Sequence, residues 1–296
     1  MTSSIPLLPP IRWPAEALWE AVSPLLPGFT VEVLPEIDST NSELMRRLKG
    51  SPGRPPQPEP LLLVAEQQSA GRGRLGRSWQ SRRGASLTFS LGLPLTPADW
   101  SGLSLAVGIS VAESLEPPEA GQARHAGQPR IGLKWPNDLW LSTPAGERKL
   151  GGILVETASW EGQRHVVIGV GINIEPVALA ASADRAMAAV APGCLQDLAP
   201  GIDAAQALER IVPALVQAVQ AFEQFGFSPF QARFAARDVL SGRAVQLSDG
   251  TQGTAYGVSD NGALQVLTAA GMVQVTSAEV SVRPALAQGA KDTGLC

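Results

Sequence analysis

One loop constrains this chain more than any other feature of its sequence. The stretch 66–81 reads EQQSAGRGRLGRSWQS and carries alternating glycines and arginines at Gly71, Arg72, Gly73, Arg74, Gly76 and Arg77. Glycine lets a ligand approach the main chain, and arginine presents a rigid fork of donors that suits carboxylate and phosphate groups. Apolar runs at 61–65 and 85–91 flank the loop and have the length of buried strands. The sequence therefore predicts a loop between two strands that closes on an anion.

Three other interpretations of this loop are weaker. Its glycines match the letters G-x-G-x-x-G, but a dinucleotide-binding turn needs a helix to start at the loop, and residues 77–84 make a poor helix start. Nucleic-acid binding would use the five arginines from Arg72 to Arg83. However, one basic loop in a chain of net charge −4 is only a weak indication of nucleic-acid binding. A merely solvated loop would seldom contain so many glycines.

The composition narrows the class of protein further. A chain of 296 residues with 44% hydrophobic residues can bury one large core and a smaller one. The net charge of −4 favours neither bulk nucleic acid nor an anionic membrane. Cys194 and Cys296 are too few for a disulfide framework. No basic segment precedes an apolar run near residue 1, and no uncharged apolar run reaches about 18 residues. We therefore expect a cytoplasmic protein without nucleic-acid or membrane partners.

Ser39, Thr40 and Asn41 immediately precede a predicted helix over 42–48. Thr40 and Glu43 have the spacing of a capping box. Two interpretations stay open here. These polar side chains only cap the helix, or the spare hydroxyl and amide groups face a ligand.

A second dense stretch reads KWPND at 134–138 and continues into the strand 148–156, which contains Gly151 and Gly152. A pair of glycines in a strand marks a backbone that something approaches closely. Lys149 is by default a surface lysine. However, an unpaired ammonium beside an apolar run is costly, and an anionic ligand would remove that cost.

The strand predicted over 165–174 reads HVVIGVGINI, so Gly169, Gly171 and Asn173 share one face. Together with the loop glycines and Gly152, they predict a flat ligand lying against a sheet.

The remaining segments supply the scaffold. Helices are predicted over 13–22, 99–115, 203–225 with a kink at Pro213, and 229–237. Residues 116–129, with His125, read as a surface insertion, and 175–201 as an irregular alanine-rich segment. From residue 240 onward, short alternating strands are joined by turns at 249–250 and 261–262, which predicts a small barrel-like β-domain.

Taken together and in order, five of these motifs resemble the biotin–protein ligase family. They are residues 39–41, the loop 71–77 with Trp79, KWPND at 134–138, KLGGILVE at 149–156 and IGVGIN at 168–173. The resemblance covers roughly 31–283 and is closest to the monofunctional class, which has no N-terminal DNA-binding domain. It implies an α+β fold, with a central mixed β-sheet and helices on one face, like a class II aminoacyl-tRNA synthetase, and then a small SH3-like β-barrel. The implied domains are an extension at 1–30, a catalytic domain at 31–238, the SH3-like domain at 239–285 and a tail at 286–296.

The resemblance also implies an activity. The chain would use ATP and Mg²⁺ to activate biotin as biotinyl-5′-AMP, and would transfer it to a lysine of a biotin carboxyl carrier protein. A lipoate or octanoate ligase or transferase shares the fold, and a cofactor-binding module without catalysis is a third class. Whether two subunits pair as a homodimer stays open, and no aromatic residue in 175–201 is available to stack on adenine.

The residue roles follow only from this resemblance. The implied catalytic residues are Lys149, Arg72 and Arg74. The implied biotin-binding residues are Ser39, Thr40, Asn41, Gln68, Gly71, Arg72, Gly73, Arg74, Lys149, Gly152 and Gly169. The implied ATP-binding residues are Arg74, Arg77, Trp79, Asn137, Asp138, Lys149 and Asn173. Asp138 would also orient Mg²⁺ through water.

Overall fold

The computed structural model describes residues 10–50, 55–116, 130–143, 146–177, 190–276 and 282–284. The helices are α1 (Ala15–Val22), α2 (Thr40–Lys49), α3 (Leu103–Leu115), α4 (Ala204–Phe225) and α5 (Gln231–Ala235). The strands up to residue 173 are β1 (Thr30–Ile37), β2 (Leu61–Gln68), β3 (Gly71–Arg72), β4 (Ser78–Trp79), β5 (Ser86–Pro94), β6 (Arg130–Lys134), β7 (Asp138–Thr143), β8 (Gly146–Trp160) and β9 (Gln163–Asn173).

Seven of these strands form one mixed sheet in the order β1-β2-β5-β9-β8-β7-β6. β1 and β2 are parallel, and every other neighbouring pair is antiparallel. In the centre, Gly152 lies opposite Gly171 and Leu154 lies opposite Gly169. The predicted mixed sheet is confirmed, and its register brings the glycines of β8 and β9 together.

The main hydrophobic core lies between one face of this sheet and α1, α3 and α4. Every second side chain of the central strands points to that face. Val64 of β2, Phe89 of β5 and Ile168 of β9 are examples, and all three are completely buried in the core. α4 begins with a capping box between Asp203 and Gln206, and it runs as one helix through Pro213, where a kink is predicted. This core supports the sheet from behind and leaves the other face for a site.

α2 lies across that other face. Leu44 packs there with Leu63 and Val167. The predicted capping box is wrong in its partners: Ser39 is the N-cap and accepts from the Ser42 backbone N–H at 3.4 Å. Glu43 instead accepts from Arg46 and Arg47, because a charge-assisted bond to a guanidinium is stronger than a bond to a neutral backbone amide.

Several helix boundaries differ from the prediction. α1 starts at Ala15 rather than at 13, and α2 starts at Thr40 rather than at 42. α3 starts at Leu103 because Gly102 adopts a positive φ of 82° just before it. The helix predicted over 229–237 is a short 3₁₀ turn, Ser228–Phe230, followed by α5.

The C-terminal strands are β10 (Ala244–Leu247), β11 (Gln252–Val258), β12 (Leu264–Thr268), β13 (Gly271–Val275) and β14 (Val282–Pro284). They form a separate antiparallel sheet in the order β13-β12-β11-β10-β14. The buried Trp135 Nε1 donates to the Gly262 carbonyl at 3.1 Å, so the 261–262 turn is attached next to the 134–138 motif. The predicted β-rich end is confirmed as an antiparallel domain.

The predictions for His125 and for the tail at 286–296 lie outside the described residues. Among the described helices, none is both long enough and apolar enough to cross a lipid bilayer.

Candidate active site

A pocket lies on the α2 face of the sheet, above β8 and β9. Its empty volume, including the open mouth, is about 710 Å³, which suits a small-molecule ligand. The loop 71–79, the start of α2 and the start of β7 form its walls. All the site residues predicted from the sequence line it except Gly71 and Asn173.

The three glycines of the pocket floor have different roles. A Cβ on Gly152 would meet no atom closer than 3.7 Å, so this glycine leaves the floor open. A Cβ on Gly169 would lie 2.1 Å from Asn41 Oδ1, and one on Gly171 would lie 2.6 Å from Trp79 Cε2. The expected flat ligand therefore has bare backbone beneath it at Gly152, whereas protein side chains already cover Gly169 and Gly171.

One end of the pocket, which we call the neutral end, is formed by Thr40, Asn41 and Gln68. Gln68 Oε1 accepts from the Thr40 backbone N–H at 2.8 Å and from its hydroxyl at 3.2 Å. The Ser90 hydroxyl, completely buried beneath them, lies 2.7 Å from Thr40 Oγ1 and 2.6 Å from Asn41 Oδ1. Ser39 therefore caps the helix, and all three residues of 39–41 line the pocket, with the N–H and hydroxyl of Thr40 bonded to Gln68.

Sequence reasoning missed Ser90 and Glu156. Ser90 had a usable signal, because Ser86, Thr88 and Ser90 alternate with apolar residues in β5 and so mark a polar face. Glu156 is the last residue of the KLGGILVE motif at 149–156, but no neighbouring residue in the sequence indicated which side chains it contacts.

Glu156 joins the loop to α2. Its carboxylate accepts from Arg72 Nη2 at 2.9 Å, from Arg72 Nη1 at 3.2 Å and from Asn41 Nδ2 at 3.0 Å. Arg72 Nη1 also donates to the Ser42 hydroxyl at 3.2 Å. In this structure the Arg72 guanidinium therefore binds a carboxylate of the protein beside the neutral end, away from Lys149.

The loop is held by its own short hairpin. Gly71 pairs with Trp79, and a Cβ on Gly71 would lie 2.3 Å from the Trp79 carbonyl oxygen, so glycine is required there for strand pairing. Leu75 at the tip has a positive φ of 55°, which is unusual for a residue with a side chain. No helix follows the loop, which excludes the dinucleotide-binding turn.

The opposite end of the pocket, which we call the cationic end, contains Arg74, Arg77, Lys149, Asn137 and Asp138. Lys149 Nζ lies 2.7 Å from Asp138 Oδ1, and Lys134 Nζ lies 4.0 Å from Asp138 Oδ2. The cost of an unpaired Lys149 ammonium is thus removed by a carboxylate of the protein. Among the described residues that line this end, Lys149, Arg74 and Arg77 are positively charged and only Asp138 is negatively charged. The end therefore still attracts anions.

Arg74 and Asn137 complete the cationic end. Arg74 Nη1 donates to Asn137 Oδ1 at 3.5 Å, and Asn137 Nδ2 donates to the Ile153 carbonyl at 2.8 Å. Burial lowers the pKa of the Arg74 guanidinium below its ordinary value; the charge of Asp138 acts in the opposite direction, and that of Arg77 adds to the lowering.

Asn173 supports the site from outside the pocket. Its amide donates to the Gly193 carbonyl at 3.0 Å and to the Lys149 carbonyl at 3.4 Å. Asn173 therefore fixes the backbone of Lys149 rather than lining the pocket.

Asp138, which the resemblance places near Mg²⁺ through water, is paired with a lysine in this structure. Its Oδ1 is bonded to Lys149, and the described residues contain no cluster of three or more histidine, cysteine, aspartate or glutamate side chains that could hold a metal ion. The segment 175–201, which has no aromatic residue to stack on adenine, lies partly outside the described residues, at 178–189.

Two family models match the chain. Residues 33–173 match the Biotin/lipoate A/B protein ligase family, and residues 240–283 match the Biotin protein ligase C terminal domain. The first match contains every residue of both ends of the pocket.

Individual relatives agree with these matches. The bifunctional ligase/repressor BirA of Escherichia coli is 36% identical over 272 residues, which are 88% of this chain and 76% of that protein. The biotin--[acetyl-CoA-carboxylase] ligase of Paracoccus denitrificans is 30% identical, over 84% of this chain and 98% of that protein. Among solved structures, the biotin protein ligase of Aquifex aeolicus in complex with biotin and ATP superposes with a TM-score of 0.66 at 26% identity, covering 86% of this chain and 99% of that one.

Proposed function

This chain belongs to the biotin protein ligase family, and we propose that it activates biotin with ATP and transfers it to a lysine of a biotin carboxyl carrier protein. The observation that carries the proposal is the pocket with two chemically different ends. Biotin has a neutral ring that donates and accepts hydrogen bonds, and a carboxylate at the end of an apolar chain. The neutral end at Thr40 and Gln68 suits the ring, the bare backbone of Gly152 suits the chain, and Lys149 suits the carboxylate.

The first step brings two anions together. A carboxylate oxygen of biotin attacks the α-phosphorus of ATP, the bond to the β,γ-pyrophosphate breaks, and biotinyl-5′-AMP and pyrophosphate form. Negative charge builds on the α-phosphate oxygens, where preorganised cations stabilise the transition state. Lys149, Arg74 and Arg77 are the cations of this pocket that we assign to that role.

In the second step, the ε-amine of the acceptor lysine attacks the acyl carbon of the adenylate. The amide bond forms, AMP leaves, and the amine loses a proton. The adenylate itself is the activated acyl donor, so no histidine or cysteine nucleophile of the enzyme is required. We assign Asn137 and Asp138 to the nucleotide side, next to Lys149.

Mg²⁺ is best placed on the ATP phosphates as part of the substrate. Asp138 is engaged by Lys149, and the described residues offer no clustered carboxylates to bind the ion without the nucleotide. Mg²⁺ neutralises phosphate charge when it arrives with ATP, and the residues of the cationic end supply fixed charges around that complex.

A lipoate or octanoate ligase is the second candidate, because the family matched at 33–173 includes both chemistries. The match of residues 240–283 to a biotin-ligase C-terminal domain favours biotin. Incubating the protein with ATP and biotin, lipoate or octanoate, and measuring pyrophosphate, separates them. We expect release with biotin; release only with lipoate or octanoate would overturn the assignment, and no release with any acid would leave a binding module.

Three further expectations complete the proposal. The acceptor is a biotin carboxyl carrier protein, in line with the names of the relatives. The enzyme works in the cytoplasm, where its substrate ATP is found and where free cysteines such as Cys194 stay reduced. A homodimer is an additional expectation, which analytical ultracentrifugation with and without biotin would test.

A further inference from the structure

We propose that Glu156 is a positioning residue of the biotin site, which fastens the Gly71–Trp79 loop to α2 before the ligand binds. This inference rests on the proposed function. The partners of Glu156, Arg72 and Asn41, lie at the neutral end of the pocket, and not at the cationic end to which we assign the reacting groups.

The contact differs from an ordinary surface ion pair in what it joins. Arg72 belongs to the loop, Asn41 to the first turn of α2, and Glu156 to β8, so one carboxylate connects three segments that are far apart in sequence. Two parallel hydrogen bonds fix the direction of the guanidinium. Arg72, which lines the pocket, is 46% exposed and Glu156 is 23% exposed, so the pair lies at the edge of the pocket.

Asn41 transmits this contact into the pocket wall. Its side chain is buried, with Nδ2 bonded to Glu156 and to the Leu154 carbonyl, and Oδ1 near the Ser90 hydroxyl. Ser90 in turn contacts the Thr40 hydroxyl, and the Thr40 backbone N–H donates to Gln68 Oε1 at 2.8 Å. A continuous hydrogen-bond chain therefore runs from the loop arginine to the groups we assign to the biotin ring.

The physical consequence is preorganisation. A loop already fastened at its Arg72 loses less conformational entropy when biotin binds, and cutting that cost raises affinity without adding a contact to the ligand. The reacting groups at the cationic end lie elsewhere. Loss of the Glu156 charge should therefore raise KM for biotin and leave kcat nearly unchanged, which is the pattern expected when binding in the ground state and transition state is lost equally.

Glu156→Gln is the first variant, and Glu147→Gln is its matched control. Glu147 also lies on β8, also binds an arginine through both oxygens, and its pair with Arg243 has similar exposures of 26% and 44%. In biotin-dependent pyrophosphate release we expect KM for biotin to rise roughly 10-fold in Glu156→Gln, the low end for losing hydrogen bonds to a charged group. The control should change KM less than about 2-fold, as for a surface pair. Equal KM values in Glu156→Gln and wild type would overturn the proposal.

Arg72→Gln breaks the same contact at its more exposed residue. It therefore tests the contact even if Glu156→Gln, a change within β8, fails to fold. If Glu156 acts through Arg72, the double variant should have the KM of the Arg72→Gln variant, because coupled residues are not additive. Multiplicative effects of the two substitutions on KM would mean that Glu156 acts by another route.

Limited trypsin digestion gives a readout that does not depend on activity. The loop contains Arg74 and Arg77 as cleavage sites, so unfastening it in Glu156→Gln should speed cleavage there, while Glu147→Gln should match wild type. Unchanged cleavage would count against the positioning role even in an inactive protein. If Glu156→Gln is cleaved faster but the wild-type protein releases no pyrophosphate with biotin, the positioning role of Glu156 is supported and the proposed function is wrong.

Discussion

The Lys149 ammonium and the Asp138 carboxylate lie 2.7 Å apart at the cationic end of the pocket. The lysine that we assign to the reacting carboxylate and phosphate is thus already held in place by a protein anion. A fixed cation costs no reorganisation when charge develops on the α-phosphate, which is the condition under which electrostatic stabilisation is most effective.

Removing this cation should affect chemistry far more than folding. We expect Lys149→Ala to lower the rate of pyrophosphate release by about 10²–10³-fold, the range for losing one preorganised donor. Lys49→Ala, at the exposed end of α2, is the control and should keep the wild-type rate. A near-wild-type rate in Lys149→Ala, measured in single turnover with saturating biotin and ATP, would remove Lys149 from the mechanism.

Gly152→Ala and Gly169→Ala should separate the two uses of the pocket glycines. A methyl group on Gly152 meets only ordinary contacts at 3.7 Å, so the protein should keep its unfolding temperature and bind biotin more weakly. A methyl group on Gly169 would lie 2.1 Å from Asn41 Oδ1, and that overlap should cost about 1–3 kcal/mol of folding stability. Thermal unfolding and biotin calorimetry on both variants check this; equal unfolding temperatures would contradict the close Asn41–Gly169 contact.

Arg74→Gly should release the adenylate before the acceptor docks. Arg74 is partly buried between the loop and Asn137, and its loss should open the site to water and to unrelated amines. We expect biotin to appear on lysines of a bystander such as serum albumin, detected by streptavidin blotting. Arg82→Gly, which changes an exposed arginine after the loop, should label no bystander. Strict acceptor specificity in Arg74→Gly would mean that this arginine does not retain the intermediate.

The loop should become more protected when ligand binds. Hydrogen exchange of the segment 71–77 should slow in the presence of biotin and ATP, because the loop tip beyond the Arg72–Glu156 contact would then close over the adenylate. The strand 87–93 serves as an internal reference, since it is buried with or without ligand. Equal loop exchange in both conditions would argue that the loop does not close.

Glu43 should make folding stability depend on acid pH. Burial alone would raise its pKa, but hydrogen bonds from Arg47 and Arg46 outweigh burial and hold the pKa below the ordinary value of 4.5. For a carboxyl whose pKa is lower when folded, the stabilisation is complete above the unfolded pKa and is lost as pH falls through the folded one. Glu43→Gln should therefore lose about 1–3 kcal/mol at pH 7 and progressively less below pH 4.5, by urea unfolding. A loss that persisted unchanged at the lowest accessible pH would show that the charge of Glu43 is not responsible.

Much of this site could be predicted because its signals are local. Strand alternation placed Gly169 and Gly171 on one face, and the glycines and arginines of 71–77 indicated a loop that receives an anion. Lys149 beside the paired glycines marked the same sheet face. These patterns depend only on neighbours a few residues away. The structure places Gly169, Gly171, Lys149 and the three loop arginines at one pocket, whereas Gly71 pairs with Trp79 and does not line it.

The partners were decided by tertiary structure. Arg72 and Glu156 are 84 positions apart, and Asn41 and Glu156 are 115 apart, so no spacing rule connects them. The chain by itself determined which segments are strands, which loop is rich in glycine and arginine, and which face each side chain takes, because these follow from backbone preferences and a two-residue period. Only the packing of α2 and the loop across the sheet decided that Asn41 covers Gly169, that Trp79 covers Gly171, and that Gly152 stays open, because those contacts depend on how distant elements approach in space.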